Sequence, residues 1–448
     1  MNSRLRRALV AFAALLASGS LSLAVPAAQA KRHHKPHCHS GYKTKRVRAH
    51  HHMKWKCVKK KTPSPAAPTT GGALPSMGSE PAPSIFGVNT GTYDTVSSNY
   101  NKDEAAAHSL GSRWDLRVLG PASGTGNFQS PDFWVKQARS HGLGIVLSFT
   151  GIQSACSLST SNVSGCPPTT ASDLSNYQAY VERVLEHYHN VVDTYESWKE
   201  PNHASQWGGT ANPAQYATFL EAEYQAFQTF NTQHPNSGPG GSDMKLLLGS
   251  PNGFTIEPPS HDIAALPFVE QVLNDLNGAK AFDGVALHAY RYQPSQGPDD
   301  RVYDWVGGLK YLPPSCAAGS NGCPLNWTQE LSAYEQEFTD HGYGQPPMWL
   351  TEFGWPGGDN PSDSYCTSKP GYCVTPSTQD ADVKAAYADL LALPFVKGAL
   401  WFNLRDYAPG AGNGDPEEFH FMGLLNYDYS RKSAGDDFAA LAAANPNR

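Results

Sequence analysis

Ile85-Phe86-Gly87-Val88-Asn89-Thr90-Gly91 is the stretch that decides the fold. A short apolar run with β-branched and aromatic residues, closing on glycine, reads as a strand. Runs of the same kind recur at Ser112 to Leu119, Gly144 to Gly151, Asp193 to Trp198, Lys245 to Ser250, Phe282 to Tyr290, Met348 to Trp355 and Val396 to Leu404. Helical patterns lie between them at Pro131 to His141, Ala171 to Tyr188, Pro213 to Phe230, Pro267 to Asn277, Trp327 to His341 and Thr378 to Leu393, with a last one near Gly435 to Ala444. Such alternation suits either an open doubly wound sheet or a closed barrel. A doubly wound sheet that binds a dinucleotide carries G-x-G-x-x-G after its first strand, and Gly87-Val88-Asn89-Thr90-Gly91 does not have that form. Eight β-then-α units over about 365 residues predict an α/β fold, the (β/α)8 TIM barrel.

Outside that region the composition changes. The chain has 448 residues, 40% of them hydrophobic and 17% charged, with 10 Trp, 21 Tyr and 18 Phe, which is ample material for a core. The net charge of -6 hides a division: positions 1–79 hold 15 Lys/Arg and no acidic residue, leaving 19 basic against 40 acidic residues in the remainder. So acidic a body argues against nucleic acid as its target.

Residues 1–30 read as a secretory signal peptide. Arg4, Arg6 and Arg7 make a positive start, Ala8 to Val25 an apolar stretch, and Ala28-Gln29-Ala30 a small-residue cleavage site. Later stretches lack the length of uninterrupted apolar sequence that a spanning helix needs, so a soluble, secreted product without an integral membrane segment is expected. Residues 31–61 are dominated by Lys, Arg and His, and residues 62–83 have the Pro/Ala/Ser/Thr/Gly composition of a linker to a domain over 84–448. The basic segment reads as a solvated tail that adheres to anionic cell-surface polymer; a histidine metal site and a small disulfide-clipped binding module are the alternatives. In an exported protein the eight cysteines fall into four local couples, Cys38 with Cys57, Cys156 with Cys166, Cys316 with Cys323 and Cys366 with Cys373. None has the C-x-x-C spacing of a zinc or redox site.

In a (β/α)8 barrel the chemistry sits at the carboxyl ends of the strands. The fourth strand ends in Tyr195-Glu196-Ser197-Trp198-Lys199-Glu200-Pro201-Asn202 and the seventh in Trp349-Leu350-Thr351-Glu352-Phe353-Gly354-Trp355. The sixth ends in Leu287-His288-Ala289-Tyr290, and the eighth contributes Trp401, Asn403, Arg405 and Asp406. Two carboxylates set among aromatics on one barrel rim are a candidate acid/base constellation.

These residues carry a resemblance. Trp198-Lys199-Glu200-Pro201-Asn202 is similar to the W-N-E-P motif on the fourth strand of clan A glycoside hydrolases, and Thr351-Glu352-Phe353-Gly354-Trp355 resembles their seventh-strand nucleophile motif. The flavour is most like family 39 and its bacterial relatives, with families 5 and 17 sharing much of the pattern. The resemblance implies a retaining O-glycosyl hydrolase acting on a polysaccharide or oligosaccharide, without metal or cofactor. Glu200 matches the general acid/base and Glu352 the nucleophile. Glu200 would need to hold its proton near neutral pH, whereas Glu352 would need to be ionised. Arg117 resembles the arginine that supports the nucleophile, with Arg113 on the same strand face as the runner-up. Tyr290 matches a tyrosine that donates to the nucleophile, His288 the histidine two residues before it, and Trp401 the tryptophan floor under the sugar. Trp355 and Trp207 are divided evenly between sugar platform and loop packing.

One position departs from the motif. The residue before the acid/base is normally Asn, bonded to the sugar 2-hydroxyl, and here it is Lys199. Lysine brings a positive charge and three donors but no acceptor. It could recognise an anionic substituent, donate to the 2-hydroxyl, or impair catalysis, and it should lower the pKa of Glu200. A non-catalytic carbohydrate-binding protein on the same scaffold is therefore the competing reading.

Overall fold

The computed structural model describes residues 42–49, 52–59, 73–77, 83–90, 99–119, 127–149, 167–253, 261–291, 297–300, 325–357, 374–407 and 421–448. The expected signal peptide lies outside them. So do all the cysteines except Cys57, and with them the four expected bridges.

The chain divides into two units, residues 1–68 and 69–448. In the first, the segment expected as a solvated tail forms an antiparallel hairpin of β1 (Tyr42–Ala49) and β2 (His52–Lys59). In the second, eight parallel strands close into a barrel in the order β10-β3-β4-β5-β6-β7-β8-β9. They are β3 (Phe86–Val88), β4 (Trp114–Leu119), β5 (Gly144–Phe149), β6 (Thr194–Glu196), β7 (Lys245–Leu248), β8 (Gly284–His288), β9 (Met348–Phe353) and β10 (Val396–Trp401). Each matches one of the eight runs read from the sequence, shortened at its ends. Part of the expected linker is attached to this unit: Leu74 is buried, its N–H donates to the His187 carbonyl at 2.9 Å, and its own carbonyl accepts from Asn190 at 2.9 Å.

Strand side chains alternate between two apolar compartments. Trp114, Leu116, Val146, Leu247, Ala286, Trp349 and Leu400 fill the barrel interior. The Trp114 and Trp349 rings meet edge to face at 4.8 Å. Small neighbours make room for them: a Cβ on Gly398 would meet the Trp349 ring at 2.0 Å, and one on Gly87 would meet Leu400 at 2.6 Å. The intervening residues, among them Phe86, Leu147, Tyr195, Leu350, Phe353 and Trp401, face the helices in the larger outer core.

The helices are α1 (Tyr100–Ser109), α2 (Gln129–Ser140), α3 (Ala171–Tyr188), α4 (Pro213–Gln233), α5 (Ala265–Leu276), α6 (Trp327–Asp340), α7 (Pro376–Ala392) and α8 (Ser433–Ala444). Local chemistry starts several of them. Asn212 caps α4 ahead of Pro213, Thr375 caps α7 ahead of Pro376, and Asn326 with Gln329 forms a capping box on α6. Helix α1 has no counterpart among the helices read from the sequence. Its inward face carries charge in place of an apolar stripe, with Asp103 and Glu104 fully buried.

Glu223 on α4 ties a helix to the loop that follows β6. It is fully buried and accepts hydrogen bonds from Ser197 and, at 2.8 Å, from the Tyr177 hydroxyl. Burial outweighs both bonds and pushes its carboxyl up to about 7. A folded-state value above the unfolded one means that stability is fully present below the unfolded pKa and lost as pH rises toward 7. Glu223→Gln removes the titration. Its unfolding free energy should therefore gain on wild type between pH 4.5 and pH 7, by on the order of 1–3 kcal/mol, read from paired thermal melts. A difference between the two melting curves that does not change with pH would contradict this.

Candidate active site

Glu200 stands just beyond β6 and Glu352 within β9, and different devices aim them. Leu287 of β8 pairs with Leu350 while His288 pairs with Glu352, so β9 holds one extra residue, Thr351. The β9–β10 ladder shifts over the same residues, Ala399 pairing with Leu350 and Trp401 with Phe353. A bulge re-aims the side chains that follow it. Here Leu350 and Phe353 both belong to the outer core, and Glu352 between them is released toward the barrel mouth. The β6 loop is held by other means. Glu200 has a left-handed backbone, φ 50°, and its N–H donates to the Ser250 carbonyl at 3.0 Å. Gly249 passes beneath, where a Cβ would lie 2.1 Å from the Trp198 carbonyl oxygen. Asn202 fixes the far side of the loop by donating to the Asn252 and Ile263 carbonyls and accepting from the Asn252 N–H, each at 2.8 Å.

The two carboxyls meet around His288. Its Nδ1 lies 2.9 Å from Glu200 Oε1 and 3.5 Å from Glu352 Oε2. Lys199 donates to Glu352 Oε1 at 2.7 Å, and the Tyr290 hydroxyl donates to Glu352 Oε2 at 3.2 Å. Asn252 donates to Glu200 Oε1 at 3.0 Å. One oxygen from each glutamate and a His288 nitrogen lie within 4.8 Å of one another. The side chain of His288 is 0% exposed and that of Glu352 4%, against 14% for Glu200 and 21% for Lys199.

Protonation follows from these contacts. Burial alone would raise the Glu200 carboxyl, but the His288 hydrogen bond and the charges of Lys199, His288 and His203 outweigh it and hold it down at about 2. Burial alone would lower His288, but the Glu352 charge and the bond to Glu200 overcome it and raise the imidazole. The contacts thus favour an ionised Glu200 beside a more basic His288. The direction follows the lowering expected from Lys199 and runs against the proton that an acid role at Glu200 would need. A further carboxyl, Glu196, lies fully buried, accepting from Ser250 at 2.6 Å and Ser148 at 3.2 Å. Burial raises its pKa against the opposing effects of His288, Ser250 and Thr351.

Two sequence expectations change face. Trp114 and Leu116 point into the barrel, so Arg117, at the opposite parity of β4, points to the helices. Its guanidinium joins Asp115, Glu104 and Thr90, with Nε donating to Asp115 Oδ2 at 2.8 Å. Those described partners make it a brace between β4 and α1 and not a support for Glu352. Trp401 follows the inward Leu400 and is 0% exposed; its ring packs on Phe353 and Trp355, and its indole N–H donates to the Met422 carbonyl at 2.8 Å. It is a wall behind the site and offers no open face to a sugar. Trp198 and Trp207 are likewise buried, their rings edge to face at 5.1 Å behind the β6 loop. Asn252 and Glu196 were missed by sequence reasoning. Asn252 follows a strand end with no motif around it, whereas Glu196 stood in the quoted stretch with a period-two position that pointed inward.

Glu200, His288 and Glu352 also form a donor set that a metal could be tested against. Their ligand atoms lie within 4.8 Å of one another, but the Lys199 ammonium already occupies one Glu352 oxygen at 2.7 Å. The arrangement fits a hydrogen-bonded carboxyl pair better than a metal centre.

No protein-family profile and no curated protein sequence matches this chain. Solved structures do. A family 39 glycoside hydrolase from Bacteroides cellulosilyticus WH2 superposes with a TM-score of 0.55 at 17% identity, covering 81% of this chain and 64% of that one. The chain thus spans under two thirds of that protein's length. A GH5_18 structure from Streptomyces cattleya in complex with GlcNAc gives 0.51 at 16% identity, covering 82% and 81% of the two chains. One from Bifidobacterium longum subsp. longum gives 0.50 at 17%, covering 81% and 79%. What the chain shares with these glycoside hydrolases is the (β/α)8 fold.

The reassigned Arg117 can be tested directly. Arg117→Met leaves Glu104 and Asp115 buried without their cation, which should cost about 3–5 kcal/mol in denaturant unfolding. An unchanged midpoint would place the guanidinium elsewhere.

Proposed function

We propose that this protein is a retaining glycoside hydrolase of the clan A type, with Glu352 as nucleophile and Glu200 as general acid/base. The observation that carries the reading is the closeness of the two carboxyls, with oxygens within 4.8 Å. Retaining enzymes hold the pair about 5 to 5.5 Å apart, whereas inverting enzymes need about 6.5 to 9.5 Å to admit a water. In the first step a Glu352 oxygen bonds to the anomeric carbon as the glycosidic C–O bond breaks, and the departing oxygen takes a proton from Glu200. In the second, water attacks the same carbon, the bond to Glu352 breaks, and Glu200 takes the water's proton. His288 is bonded to Glu200 Oε1 and supplies the proton that the first step needs at that atom. Tyr290 and Lys199 hold the two Glu352 oxygens, fixing the carboxylate in place.

The substrate class is a polysaccharide or oligosaccharide. Secretion, by way of residues 1–30, and contact of the basic segment 31–61 with an anionic surface polymer belong to the same reading. The competing one, a carbohydrate-binding protein that no longer turns over, draws on the lysine paired with the candidate nucleophile. Hydrolysis across neutral, acidic and pentose polysaccharides separates the two. Wild type should release product of retained anomeric configuration, followed by NMR. Glu352→Gln and Glu200→Ala should each lose activity by about a thousandfold or more. Initial inversion, or equal product from Glu352→Gln, would refute the mechanism.

A further inference from the structure

A polar layer separates the apolar barrel interior from the Glu200 and Glu352 pair. Val146, Ala286 and Trp349 belong to that interior. Two residues further along the same strands, alternation brings Ser148, His288 and Thr351 to the inward face, and Glu196 joins them between Ser148 of β5 and Leu247 of β7. Glu196, His288 and Thr351 are fully buried. Among the described residues, Glu196 Oε2, His288 Nε2 and Thr351 Oγ1 have no hydrogen-bond partner.

The turn after β7 ties these groups to the active site. Ser250 donates to Glu196 Oε1 at 2.6 Å, and its carbonyl accepts the Glu200 N–H at 3.0 Å. The next carbonyl, of Pro251, accepts the His288 N–H at 3.1 Å. Across the β8–β9 ladder His288 pairs with Glu352, the residue after Thr351. Burial and the Glu352 charge raise the Glu196 carboxyl, while His288, Ser250 and Thr351 lower it, so the same groups act on one another electrostatically.

Leaving buried donors and acceptors unpaired is costly. An internal water makes about three hydrogen bonds to buried polar groups that the protein itself does not satisfy, and this layer holds three such atoms. The placement also bears on the imidazole. His288 Nδ1 faces Glu200 Oε1 at 2.9 Å, and which ring nitrogen keeps the proton is set by the partner of the other. With Nε2–H held by an acceptor, Nδ1 is left to give a proton to Glu200 and to take one back.

We propose that Glu196 is a positioning residue for proton transfer between His288 and Glu200, acting through an internal water that accepts from His288 Nε2–H, donates to Glu196 Oε2 and meets the Thr351 hydroxyl. In the first glycosidic step the Nδ1 proton passes to Glu200 Oε1 as Glu200 protonates the departing oxygen, and His288 becomes neutral with its remaining proton on Nε2. In the second, Glu200 takes the proton of the attacking water and returns it to Nδ1. Glu196 gains and loses nothing in the cycle. The inference rests on the glycosidase reading for its chemistry and on the three unpartnered atoms for the role of Glu196.

The test uses the full chain and aryl glycosides of one sugar that differ only in leaving group, a dinitrophenol that departs unassisted and a phenol that needs the proton. Glu196→Leu should lower kcat/KM about a hundredfold for the phenyl member and far less for the dinitrophenyl one. Glu196→Gln, whose amide keeps a polar partner for the water, should restore part of the phenyl activity. Equal losses on both members, or a glutamine variant no better than leucine, would mark Glu196 as merely structural and overturn the proposal. A second readout needs no turnover. Glu200, Glu352, Lys199 and Glu196 are the charged groups that act on this imidazole. With isotope-labelled histidine followed by nitrogen NMR above the His288 titration, wild type should hold the single ring proton on Nε2. Glu196→Leu and Thr351→Val should each shift it toward Nδ1, and Thr351→Val carries the test where the leucine variant does not fold. A wild-type proton on Nδ1, or a tautomer that neither variant moves, would sink the assignment even where hydrolysis is seen. Hydrolysis of neither member would count against the glycosidase reading, and the tautomer would still decide whether Glu196 positions the ring.

Discussion

Glu352 reaches the barrel mouth because β9 is one residue longer than both neighbours between Leu350 and Phe353. Regular alternation would send one of two consecutive residues inward and the next outward. The bulge suspends that rule over Thr351 and Glu352 and restores it at Phe353, which returns to the outer core beside Trp401 at 5.5 Å. The remaining contacts of the site depend on this one irregularity, since Lys199, Tyr290 and His288 all approach the carboxylate from other strands and could not follow it to the opposite face.

The same alternation explains how far the sequence could be read. The eight strands were legible because strands buried on both faces are continuous apolar runs with sharp ends. Glu200 and Glu352 were legible because their motifs sit at strand ends among aromatics. Arg117 and Trp401 were assigned by motif position, but parity decides where they point: Trp114 with Leu116 and the lone Leu400 occupy the interior, which leaves both residues outside it. The quoted stretches held enough information to see this. Helix α1 was not legible, because the residues it buries, Asp103 and Glu104, are charged. They pair with Arg405 at 3.1 Å and with Arg117, partners remote in sequence. Asn252 is silent for a similar reason, since its hydrogen bond to Glu200 comes from a turn whose position only the closed barrel defines.

Burial and charge oppose each other throughout the polar interior, and the balance differs from one carboxyl to the next. Glu223 and Glu196 each accept from hydroxyls, Ser197 and Tyr177 for the first and Ser250 and Ser148 for the second, and burial prevails in both. Glu200 is less fully buried, with 14% of its side chain exposed, and a histidine bond and nearby cations carry it to about 2. Neutral hydroxyl donors do not offset burial at Glu223 and Glu196, and a single cation does not always do so either, since Glu104 and Asp115 remain raised beside Arg117; at Glu200 a histidine bond and several charges act together.

That comparison bears on why a lysine stands where the motif has asparagine. An asparagine at position 199 would offer the site a neutral donor and an acceptor, and the contrast among the buried carboxyls indicates that neutral donors leave such groups close to protonation. The lysine instead sets a positive charge against Glu352 and helps to lower the Glu200 carboxyl. In a body with 40 acidic residues against 19 basic ones outside the first 79 positions, that positive charge is not a product of general composition. It is a local exception, held at 2.7 Å from the Glu352 carboxylate.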